Sequence, residues 1–339
     1  MKKTICILIV FILVTLSACT GHGNGKSREV GGNAGDHQQT GITEETNTKE
    51  DKAAENDETA KNNKSGEGNT EEEQIPDLGE IISDESLKPE EMLDFIRENI
   101  DKASADEAAK LLLRLEQLQQ NNLEEMTNRY AETESMQSEL WSQVYNYDTG
   151  EISFELIKDP SLKELLTDAQ NNGYRTATAE GSFFPVIDYS IYKEFGDKLP
   201  EDLESYFSLM AAESGRSPAS DGGLVIGWDE VFERALNQQQ FIMNYSDSIK
   251  INEAKELYKK FVIFIFSGEN IPNTPHFDYS KKTLSPRLKE SLLAIAEKAG
   301  DTPLERMIKD YAEVLDKNGY KLTDEVKKFR ENAVASLCN

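Results

Sequence analysis

An all-α body, a multi-helix bundle or irregular helical array, is predicted for residues 78–339 of this 339-residue chain. Two observations carry that prediction. Apolar residues recur at helical spacing from Met92 onward. A single boundary grammar also repeats: Ser285-Pro286 and Thr302-Pro303 open helices, while Gly268, Gly300 and Asn318-Gly319 close them.

Taken in order, Pro89 suits a first helical turn, and Met92, Leu93, Ile96 and Ile100 follow on one face. Ser104 with Glu107 forms a capping-box pair. It opens a long run in which Ala108, Leu111, Leu115, Leu118, Met126 and Tyr130 share a stripe, continuing toward Trp141 and Val144. So long a helix predicts a break near Asn121-Asn122 or Thr133. The stripe is read as packing within the chain in preference to a coiled-coil seam. A turn at Asp148-Thr149-Gly150 marks a place near 146–150 where the body would subdivide. Glu151–Ile157 reads as a short strand or a helical turn, and Asp159-Pro160 then starts a helix that Asn172-Gly173 ends. Tyr174–Asp188, with Gly181 and Pro185, is expected to be irregular. Further helices are expected over 189–195, 200–214, 228–244, 247–267, 286–299, 303–317 and 323–337. Phe261–Phe266 is apolar on all sides, which on a helix means a fully surrounded position.

Before the body lie two other compositions. Lys2 and Lys3 precede an apolar run, Ile7–Val14, which is shorter than the about 20 residues a membrane span needs. Such a run followed by small residues reads as a signal peptide, residues 1–18. Its end, Leu16-Ser17-Ala18-Cys19, resembles the lipobox of bacterial lipoproteins. The resemblance implies cleavage before Cys19, a diacylglyceryl group on that cysteine and a place on the extracytoplasmic face of the cell membrane. Each buried methylene of such an anchor contributes about 0.8 kcal/mol. From Thr20 to Asp77 there is no aromatic residue, and Val30, Ile42 and Ile75 are the large aliphatics. Such a segment buries too little apolar surface to offset its ordering entropy, so residues 19–77 are expected to be a disordered acidic linker. As a flexible coil it would span about 40 Å.

Charge and cysteines narrow the function classes. A net charge of −26 opposes binding to nucleic acid, which needs clustered Lys and Arg. It equally opposes laying the body on an anionic membrane. With Cys6 in the signal segment and Cys19 lipidated, Cys338 has no intramolecular partner, so the fold is not a disulfide framework.

Candidate chemistry gathers in Glu180–Glu230, where irregular backbone, aromatics and acids alternate. Glu180, Phe183, Phe184, Asp188, Trp228 and Asp229 are the candidate binding residues, since loops held by helices often carry function. Within this stretch Glu213-Ser214, then Pro218-Ala219-Ser220 and Gly223-Leu224, resembles the motif of lytic transglycosylases. That resemblance implies Glu213 as a general acid toward peptidoglycan. Val225-Ile226 stand where the family carries Met-Gln, and the spacing after Pro218 is shorter. His276, in a Pro-rich loop, reads as structural or solvated, and no zinc or phosphate-loop spacing is present. No cofactor or metal is expected. The composite expectation is a lipid-anchored binding or scaffolding protein of the cell envelope, whose partners are the membrane through Cys19 and either another envelope protein or peptidoglycan. A peptidoglycan-active enzyme using Glu213 is the alternative.

Overall fold

The computed structural model describes residues 78–132, 134–146 and 150–338. The expected signal peptide, the expected lipid site Cys19 and the expected linker lie outside the described residues.

The body is all-α, with two short antiparallel hairpins as its only sheets among the described residues. Helices α1 (Leu78–Ser83), α2 (Pro89–Asn99) and α3 (Ala105–Ala131) come first. The Ser104–Glu107 capping box is formed, and Ala108, Leu111, Leu115, Leu118, Met126 and Tyr130 are all buried along α3. The long stripe does break, with α3 ending at Ala131 before α4 (Glu134–Glu139) and a π turn, Leu140–Val144. Helix α5 (Pro160–Asn171) is capped by Asp159, whose Oδ1 accepts from the Ser161 and Leu162 amides. At its end Gly173 is obligatory on two counts. Its φ is +75°, and a Cβ there would lie 2.2 Å from Gln119 Nε2.

Tyr174–Asp188 is not irregular. Strands β1 (Tyr174–Ala179) and β2 (Ser182–Ile187) pair antiparallel around Glu180-Gly181. Both turn residues have positive φ, 51° and 76°, as a two-residue turn that matches strand twist requires. Pro185 is compatible with this hairpin because in a two-stranded sheet every strand is an edge. The helix expected over 189–195 is a 3₁₀ segment, Ile191–Lys198. Helix α6 (Glu201–Gly215) follows, then the second hairpin, β3 (Ala219–Ser220) and β4 (Gly223–Leu224), turning on Asp221 and Gly222, again both at positive φ.

The remaining helices lie close to expectation: α7 (Trp228–Asn244), α8 (Ile251–Val262), α9 (Pro286–Lys298), α10 (Pro303–Lys317) and α11 (Asp324–Leu337). Phe261–Phe266 is helical, running from α8 into a π turn that Gly268 stops at φ +71°. Phe261, Val262, Phe264, Ile265 and Phe266 are buried, so the run is central to the fold.

Two apolar cores result. The first is built from α2 through α6, with Leu111, Leu115, Tyr174, Tyr192 and Phe207 among its members. It includes Val144 and Leu162, so the chain on both sides of 146–150 packs into the same core. The second is built from α7 through α11 around Phe232, Phe266, Leu288 and Tyr311. Helix α7 joins them: Val231, Phe232 and Ala235 enter the second core, Phe241 enters the first, and Ile242 touches both. The seam between the cores therefore runs along α6 and α7. No described helix is long and apolar enough to cross a membrane.

Candidate functional site

Polar side chains concentrate at that seam. Glu213, near the end of α6, is buried. Its Oε1 accepts from Arg234 Nη1 at 3.0 Å and its Oε2 from Lys260 Nζ at 2.7 Å. Arg234 stands one helical turn after Glu230 on α7, a spacing that puts both on one face, and its Nη2 lies 2.5 Å from Glu230 Oε1. Arg234 also donates to the Arg216 carbonyl at 3.0 Å, and Arg216 Nη1 approaches Glu230 Oε2 at 3.7 Å. Three helices thus contribute to one network in which each oxygen of Glu213 has a cationic donor. A buried charge is tolerated on these terms, paired and hydrogen-bonded.

Alongside Glu213 and Arg234 a cleft of about 290 Å³ opens between α6 and α7. Ser205 and Ser208 line one wall, Asn237 and Gln238 the other, with Phe241 and Tyr245 toward one end. Gln238 is buried, and its Oε1 has no hydrogen-bond partner.

The first core encloses a second buried carboxylate. Glu116 Oε1 accepts from the Tyr189 hydroxyl at 2.8 Å and the Tyr206 hydroxyl at 3.3 Å, while Oε2 meets Lys250 Nζ at 2.6 Å. One turn further along α3, Gln119 Oε1 accepts from Tyr192 at 2.5 Å, and its Nε2 donates to the Asn172 and Gly173 carbonyls at 3.1 Å. Burial, reinforced by the charge of Glu116, pushes the phenols of Tyr189, Tyr192 and Tyr206 well above their ordinary range, so each stays a donor.

The second core holds His276 instead. Its Nε2 lies 2.8 Å from the Phe264 carbonyl and Nδ1 lies 3.2 Å from Arg330 Nη2. A carbonyl only accepts and a guanidinium only donates, so Nε2 carries the proton and Nδ1 is bare. Burial, with Arg330 adding to it, pulls the imidazole down to about 3. The ring also packs edge-on to Trp228, with centroids 5.2 Å apart. His276 is a core residue in the neutral form.

The residues singled out from sequence separate. Glu180 sits in the first hairpin turn, where its amide donates to Asp221 Oδ1 at 2.9 Å in the second turn. Asn273 extends this junction, its Nδ2 donating to the Asp221 carbonyl at 2.5 Å and its amide to the Gly222 carbonyl at 2.8 Å. Phe183 is buried in the first core against Trp141 and Tyr145, and Phe184 beside it is half-buried. Asp188 accepts from the Ser190 amide and hydroxyl, and it borders a separate cleft of about 450 Å³ with Arg175, Glu151 and Glu155. Trp228 belongs to the second core, whereas Asp229 is exposed. Glu213 and Asp188 thus border different clefts, and Glu180 and Asp229 border neither of these two. Arg234, Lys260, Gln238, Glu116 and Lys250 were missed from sequence. The Glu230–Arg234 spacing was a usable local signal, but Glu213–Lys260 and Glu116–Lys250 join residues far apart in the chain.

No group of three or more His, Cys, Asp and Glu side chains among the described residues could hold a metal ion. No protein-family model, no curated protein and no solved structure matches the sequence.

Proposed function

We propose that the chain is a lipid-anchored protein of the extracytoplasmic face of the cell membrane that acts by binding or scaffolding another envelope component. The observation that carries the address is Leu16-Ser17-Ala18-Cys19 directly after the apolar run Ile7–Val14. In this reading lipid on Cys19 holds the membrane, the acidic segment to Asp77 acts as a spacer, and the helical body makes the contact. The joined hairpin turns, Glu180 with Asp221 and Asn273, offer a contact face whose backbone is already organised by hydrogen bonds.

Binding is favoured over peptidoglycan cleavage by the surroundings of Glu213. A general acid needs an oxygen that carries a proton and reaches the leaving group. Both oxygens of Glu213 are taken by Arg234 and Lys260.

Mass spectrometry of the membrane-extracted protein tests the address. A first residue Cys19 bearing a diacylglyceryl mass is expected, with Cys19→Ala moving the protein to the soluble fraction. An unprocessed, unmodified N-terminus on a cytosolic form refutes it. Incubation with peptidoglycan separates the two activities: no digestion by wild type supports binding, whereas digestion lost in Glu213→Gln establishes the enzyme.

A further inference from the structure

We propose that the cleft between α6 and α7 is a binding site for a neutral sugar ring, hexose or N-acetylhexosamine in class. The cleft wall leaves one buried polar atom unsatisfied. Gln238 lines it and is about 1% exposed, yet its Oε1 has no hydrogen-bond partner. Buried polar groups are nearly always paired, so an orphan in a cleft wall calls for a partner from outside the fold. Turning the terminal amide about its last torsion offers the cleft an oxygen or an NH₂, which suits a ligand that both donates and accepts.

The lining selects against charge. Its charged residues are Glu213 and Arg234, which are committed to each other, to Lys260 and to Glu230. An anion would have to displace Glu213 from Arg234, and a cation would have to displace Arg234 or Lys260 from Glu213. What remains for a ligand is neutral: the Ser205 and Ser208 hydroxyls and the Asn237 and Gln238 amides, with apolar surface from Leu209 and the half-buried Tyr245 ring. Hydroxyls and amides facing an apolar surface match a sugar ring, which carries hydroxyls at its edge and C–H groups on its face. The volume, about 290 Å³, is at the lower limit for small-molecule sites and suits one ring. The position also fits, since the cleft lies on the seam between two cores, where ligand sites concentrate.

The test is calorimetric titration of the full chain with glucose and N-acetylglucosamine, with glucuronate and glucosamine as charged counterparts, followed by hydrogen–deuterium exchange. At least one neutral sugar is expected to bind in the millimolar range, with added protection confined to α6 and α7. The charged counterparts are expected to bind more weakly by about tenfold. Gln238→Met removes the orphaned amide at nearly constant volume. It is expected to weaken binding about fivefold to tenfold while leaving the thermal midpoint unchanged or higher. A merely structural orphan would also permit the stability gain, but it would leave no sugar binding to lose. Asn237→Ala, at the exposed rim, is expected to weaken binding without touching stability, and it serves if Gln238→Met misfolds. Absence of binding by both neutral sugars, equal binding of glucuronate, protection outside the two helices, or unchanged binding in both variants overturns the proposal.

Discussion

The first core buries an ion pair, and the second buries a neutral base. In the first, Glu116 is accommodated by a cation, Lys250, and by two phenols, all within one aromatic enclosure. In the second, His276 is accommodated without charge, donating to a carbonyl at the end of the α8 helical run and accepting from Arg330. Burial penalises charge in both places, and the two cores answer it by different means: one supplies the opposite charge, the other keeps the proton off. The first core should therefore be vulnerable to loss of a partner, and the second to acid.

The largest effect is expected in the first core. Lys250→Met leaves Glu116 buried with phenols alone, and a loss of about 3–5 kcal/mol in unfolding free energy is expected from denaturant titration. A loss under about 1 kcal/mol would mean that the phenols suffice and that the contrast between the cores is false. Glu213→Gln at the seam is expected to cost less, about 2 kcal/mol, because Arg234 keeps Glu230 and the partly exposed Lys260 can turn to water. A cost equal to that of Lys250→Met would place the seam in the same class as the enclosed pair.

Acid probes the second core. In the unfolded chain His276 takes a proton near 6.5, whereas in the fold it does so near 3. Below about 6.5 the unfolded state binds the extra proton, so stability is full above that pH and falls as pH drops toward 3. By pH 5 the loss is expected to be about 2 kcal/mol, from about one and a half pH units at 1.36 kcal/mol each. His276→Gln is expected to flatten the slope between pH 6.5 and 5, read by thermal melts across that window. A slope that survives the substitution would assign it to other groups. The smallest effect concerns Tyr311, whose buried hydroxyl in the second core has no partner. Tyr311→Phe is expected to be neutral or to stabilise by up to about 1 kcal/mol in chemical denaturation, since it removes an unsatisfied polar atom and keeps the ring stacked on Phe329. A substantial loss would point to a partner for that hydroxyl.

Helix positions were readable because their signals are local. The Ser104–Glu107 box, the Ser285-Pro286 and Thr302-Pro303 starts and the Gly268 and Gly319 stops each involve residues within a turn of one another. The β1–β2 hairpin was misread because Pro185 looked like a breaker, and its tolerance depended on the strand having no second neighbour. The candidate region Glu180–Glu230 was only partly legible. Glu180 does meet Asp221, but Phe183 and Trp228 belong to different cores, and Asp188 borders another cleft. Composition marks where polar and aromatic residues cluster along the chain, but not the direction each faces.

By itself the sequence determined the helical class and most helix ends, because periodicity and capping act over a few residues. Only the tertiary structure decided that Glu116 meets Lys250, that Glu213 is held between Arg234 and Lys260, and that Gln238 stands without a partner beside a cleft. Those outcomes depend on which faces of distant helices come together, and that follows from burying two apolar cores at once rather than from any local preference.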